Sequence, residues 1–199
     1  AKGDVSFTPN TITYTAKGED AKKIKHSHIG VVVHQKYHGK DIESLHASPH
    51  VDMKEFGHHK DVHIHGAEHD TSKVHHSEEN EAGFHKHMNA AKEIHDTHGH
   101  KMYNAVHPKH SGESGHLATY INKTVRYDEV PSVKGFKEHI AAHHEKEAGK
   151  VKTEKAQEAK RSEGKSQIAH VEKNKAHYGN LFAMHHHLAH AKNHLVKSL

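Results

Sequence analysis

The chain has 199 residues, only 32% of them hydrophobic, with a mean hydropathy of −0.98 and neither Cys nor Trp. That suits one domain or two small ones and excludes disulfides, Cys-held iron–sulfur clusters, zinc ribbons and blue-copper centres. The formal charge is +4, but 31 residues are His, so the chain becomes far more cationic near or below pH 6.5.

Residues 1–25 contain no His. Asp4–Thr15 alternates β-branched and aromatic residues around Pro9-Asn10, which predicts a strand, a turn and a strand. Residues 26–116 hold twenty-one of the His and are cut by Gly30, Gly39, Pro49, Gly57, Gly66, Gly83, Gly99, Pro108, Gly112 and Gly115. Such punctuation predicts short helical turns between loops. The best helix in this block is Glu79–His95, where Ala82, Met88, Ala91 and Ile94 share a face.

Residues 117–138 lack His, and their TYINKTVRY stretch reads as a strand. Val130-Pro131-Ser132 reads as a helix start, followed by helix over Val133–Ala148. Gly149–Lys165 is rich in Lys, Glu and Ala and reads as a solvated helix or a linker. Leu181–Leu199 is the strongest helix of the C-terminal block, with Leu181, Met184, Leu188, Ala191 and Leu195 at helical spacing.

The expected fold is therefore mostly irregular loops with several α-helices and little β, stapled by cofactors around a small hydrophobic core. The expected divisions are a His-rich region over 1–148, a helix or linker over 149–165 and a His-rich helical region over 166–199. No apolar run reaches about 18 residues, so no membrane span is expected. Lys and Glu are interspersed, without a basic run carrying aromatics, which argues against nucleic acid as a partner.

Seven His pairs stand at i,i+4: His34/His38, His46/His50, His59/His63, His65/His69, His139/His143, His186/His190 and His190/His194. On a helix this spacing sets two imidazoles on one face, where they can chelate zinc, nickel or copper. Random placement of 31 His would give roughly five such pairs, so spacing alone says little. The bland alternative for any one His is a solvated surface residue. No His-Glu-x-x-His sequence, fixed carboxylate partner or nucleophile elbow occurs, so a single-site enzyme is not expected.

Several segments are similar to those around the haems of multi-haem c-type cytochromes. Ala47-Ser48-Pro49-His50 and Glu113-Ser114-Gly115-His116 resemble distal-ligand segments of that family. His34-Gln35-Lys36-Tyr37-His38-Gly39 would be a haem-attachment site if residues 34 and 37 were Cys. His59–His63, Thr71–His75 and Tyr103–His107 have the same frame, and Ile140–His144 and Ser166–His170 fit more loosely. The motif cysteines are all absent, so thioether attachment is impossible in this chain. The resemblance implies several haems, c-type only if cysteines were lost from the sequence and otherwise b-type, each held by two imidazoles. The implied axial iron ligands are His28, His38, His50, His63, His75, His87, His98, His107, His110, His116, His144, His170, His177, His185 and His190.

On that reading the protein transfers electrons between redox partner proteins or extracellular acceptors, as a homo-oligomer or as a subunit of a conductive filament. It would be exported to the periplasm or beyond the cell, which fits a chain that starts at Ala1. The alternative class is a His-rich protein that sequesters or stores zinc, nickel or copper ions.

Overall fold

A computed structural model describes residues 31–37, 40–47, 78–106 and 116–197. Strands β1 (Val31–Tyr37) and β2 (Lys40–Ala47) pair antiparallel, from Val31 opposite Ala47 to Tyr37 opposite Lys40, with a register shift between Gln35 and Lys36. Five helices follow: α1 (Glu78–Ala105), α2 (His116–Arg126), α3 (Val133–Gly149), α4 (Glu154–Lys173) and α5 (Lys175–Lys197). The expected strand–turn–strand at Asp4–Thr15 lies outside the described residues.

The helices overturn the expectation of mostly irregular loops around a small, cofactor-stapled core. From residue 78 onward the described chain is helical apart from short connections. α1 alone runs 28 residues, extending the expected helix Glu79–His95 through Gly99, one of the glycines expected to cut this block. An isolated glycine costs a helix only about 1 kcal/mol, which tertiary packing offsets. The buried face of α1 is Phe84, Met88, Ala91 and His95, while Ala82 is exposed and Ile94 half-buried.

TYINKTVRY is helix rather than strand. Tyr120, Ile121 and Thr124 are buried and Leu117 is half-buried, a helical spacing that outweighs the β preference of its branched residues. The helix start at Pro131-Ser132 holds: Ser132 Oγ accepts from the Gly135 amide at 3.0 Å as N-cap of α3. Gly149–Lys165 resolves into a turn and the first part of α4, capped by Thr153 Oγ1, which accepts from the Ala156 amide at 3.2 Å.

The chain divides into two compact units, residues 1–97 with 187–199, and residues 98–186. The second unit has an aromatic core of Tyr120, Ile121, Phe136, Ile140, Val171, Tyr178 and Phe182. Phe136 lies 5.4–5.6 Å, centroid to centroid, from the rings of Tyr120, Tyr178 and Phe182, the tilted and edge contacts that aromatic rings favour. The Tyr120 hydroxyl ties α2 to the start of α3, accepting from the Ser132 amide at 3.0 Å and donating to its carbonyl at 3.3 Å. Across α3 and α4, Arg161 donates to both oxygens of Glu145 at 3.1 Å, and Lys137 pairs with Glu172 at 2.7 Å. In the first unit the buried apolar side chains include Phe84, Met88 and Ala91 of α1 and Leu188 and Ala191 of α5.

Candidate metal centre

Within the first unit, α5 carries His187, His190 and His194 at i, i+3 and i+7, a spacing that sets three imidazoles on one helical face. All three meet His87 of α1. The His87 ring stacks on His190 at 4.9 Å and on His194 at 5.8 Å, each with an interplanar angle of 19°, and lies 5.5 Å from His187. His87 Nδ1 and His187 Nδ1 are 3.2 Å apart.

Four imidazoles this close cannot all carry charge. Burial, and then the neighbouring His190, His187, His194 and Lys86, push His87 down from its ordinary value to about 4. Burial, with His190 and Lys86, lowers His187 as well. His87 and His187 are therefore held neutral near pH 7, the form in which imidazole binds a metal.

The 3.2 Å separation of the two Nδ1 atoms suits a hydrogen bond in which one donates to the other. It equally suits two ligands of one tetrahedral ion, since metal–nitrogen bonds of about 2.0–2.1 Å set ligand nitrogens about 3.3 Å apart. His194 Nδ1 donates to Asn80 Oδ1 at 3.4 Å, leaving Nε2 as its basic nitrogen. A Cβ at Gly83 would lie 2.5 Å from His194 Cε1 and Nε2, so this glycine makes room for the ring. Among the described residues no three His, Asp or Glu side chains have donor atoms gathered around one point. The His87–His187 pair stands ready, and a third ligand from His190 or His194 requires a change of ring orientation.

A second imidazole group lies in the 98–186 unit. His116 of α2 faces His139, His143 and His144 of α3 at 6.3, 4.5 and 5.4 Å. Burial first, and then these three neighbours, hold His116 below its ordinary range, against the opposing charge of Glu163. Burial, Lys123 and His143 do the same to His139.

Of the fifteen candidate ligands, His87 and His190 come together, as do His116 and His144. His170 makes a structural contact, donating from Nε2 to the Ala105 carbonyl at 3.0 Å. His177 and His185 each have a buried Nδ1 without a hydrogen-bond partner, and burial pushes His185 down to about 4. His98 is exposed on α1. His28, His38, His50, His63, His75, His107 and His110 lie outside the described residues. His187 has no His at i,i+4 and pairs with His190 at i,i+3, so the i,i+4 spacing does not mark it. Asn80 carries no sequence signal at all.

The chain matches, over residues 1–199, a family of unknown function (DUF6267), and it belongs to that family. No curated protein and no solved structure matches it.

Proposed function

For this member of a family without an assigned function, we propose that the chain binds divalent transition-metal ions (zinc, nickel or copper) in a sequestering or storage role. The observation that carries this reading is the pair of imidazole nitrogens of His87 and His187, 3.2 Å apart. Two further imidazoles, those of His190 and His194, adjoin it. Neutral imidazole is a good ligand for these ions and a poor one for magnesium or calcium, which take oxygen ligands.

Electron transfer through bis-histidine haems is the competing proposal. It rests on the His-containing segments that resemble those of multi-haem cytochromes, and the aromatic core of the 98–186 unit gives that unit a packed interior without haem. The stacked rings of His87 and His190, 4.9 Å apart, also stand too close to take the two opposite faces of one porphyrin. No helix among the described residues is long and apolar enough to cross a membrane.

Elemental analysis and a visible spectrum of the isolated protein test the proposal. Zinc, nickel or copper bound in a protein without a Soret band is the expected result. Iron in equal amount to haem, with split low-spin bands, would replace it with the haem reading.

A further inference from the structure

The imidazole group of the 98–186 unit contains one ring unlike the others. His144 is buried, 5% exposed, and its Nε2 lies 2.6 Å from Oε1 of Gln167, itself buried at 6%. An amide oxygen only accepts, so Nε2 carries the proton and donates. The basic lone pair is thereby fixed on Nδ1, which is buried and has no hydrogen-bond partner. An unsatisfied buried acceptor is costly, and natural folds rarely leave one without a reason.

The other edge of the ring is occupied. A Cβ at Gly164 of α4 would lie 2.9 Å from His144 Cβ and Cγ and 3.1 Å from Cδ2. The glycine thus lets α4 approach the Cδ2 side while Gln167 holds Nε2. Nδ1 is the nitrogen left over. An imidazole that donates one N–H to an oxygen and turns its other nitrogen to a site is the arrangement metal ligands adopt.

Two more imidazoles stand at suitable range. The ring centroids of His116, His143 and His144 are separated by 4.5, 5.3 and 5.4 Å, with interplanar angles of 64–85°. For rings bound to one tetrahedral ion through bonds of about 2.0–2.1 Å, neighbouring centroids lie about 5.2 Å apart. His143 is exposed and His116 only half-buried, so both can reorient around a fixed His144. The Glu163 carboxylate acts on His116 with the sign that favours a cation. His139 is the poorest member: it is 6.3 Å from His116, and Lys123 opposes added positive charge beside it.

We propose that His116, His143 and His144 form a second site for a divalent transition-metal ion, with His144 bound through Nδ1 and Gln167 as its positioning residue. This site shares the chemistry of the His87 group and none of its residues, so either can fail alone.

Zinc titration of the full-length chain, followed by two-bond ¹H–¹⁵N NMR, tests it. The His144 signals are assigned by their loss in His144→Gln. Zinc is expected to shift Nδ1 of His144 and leave Nε2 protonated. Gln167→Leu should weaken that response by about 10–100-fold. Gln167→Glu, which still accepts from Nε2, should retain it. His87→Ala should leave it unchanged even though the first site is lost. Binding through Nε2, no His144 response at saturating zinc, or an unchanged response in Gln167→Leu would each overturn the proposal. Once His144 is assigned, its zinc response is read on the unmodified chain, so that result stands even where a Gln167 variant fails to fold.

Discussion

Around His87 the imidazoles hold one another. Three rings from one face of α5 lie against a single ring of α1, two of them stacked, and burial first, then repulsion from these neighbours, keeps His87 neutral. Around His144 the holding is done by other residues: Gln167 fixes the tautomer and Gly164 admits the neighbouring helix. The first arrangement keeps His87 and His187 neutral among rings that can turn. The second fixes one ring and leaves its partners to come to it. On the proposed reading, the same residue type is prepared as a metal ligand by two physical routes: burial with crowding, and a tautomer fixed by a hydrogen-bonded neighbour.

The two glycines make this contrast concrete. Gly83 faces the far end of the His194 side chain, which can swing away. Gly164 faces His144 at Cβ and Cγ, next to the backbone, where nothing can move cheaply.

The largest expected effect is on acid stability, and it separates crowding from plain burial. His185 is buried, and burial alone lowers it to about 4. An unfolded chain protonates this residue near pH 6.5, so between pH 6.5 and 4 the unfolded state binds more protons. Its contribution is complete above pH 6.5 and is lost as pH falls through 4, a change of about 3 kcal/mol. His185→Leu should flatten the pH dependence of urea unfolding over that window, while His87→Ala, at a half-exposed site, should alter it less.

Gly164→Ala comes next. It should destabilise the chain by about 1–3 kcal/mol through overpacking at His144, read as a lower urea midpoint with an unchanged slope. Gly83→Ala should have the smallest effect on stability. The gain in helix propensity, up to about 1 kcal/mol, offsets displacement of the His194 ring. Zinc affinity at the His87 group should nevertheless fall, because the displaced ring is one of its four imidazoles. If both alanine variants lose equal stability, the contrast between a yielding and a fixed ring is wrong.

Part of this was legible in the sequence. Pro131-Ser132 announced the start of α3, and Leu181, Met184, Leu188 and Ala191 announced the buried face of α5. The pairs His139/His143 and His190/His194 do lie within the two imidazole groups, although their spacing was near chance. Tyr120, Ile121 and Thr124 misled because β-branched and aromatic residues suit either structure, and only packing against Phe136 and Phe182 decides. Gly99 misled because a helix held by packing carries an isolated glycine that, in sequence, looks like one that ends it. That His87 would meet α5, or that Gln167 would reach His144 from 23 residues away, depends on tertiary packing with no local signal.

Calorimetric titration of the metal-stripped full-length chain with zinc, compared with its His87→Ala variant, tests the central claim most directly. The account predicts that the variant keeps its helical circular dichroism and binds one zinc ion fewer per chain. Superimposable isotherms for the two proteins would contradict it.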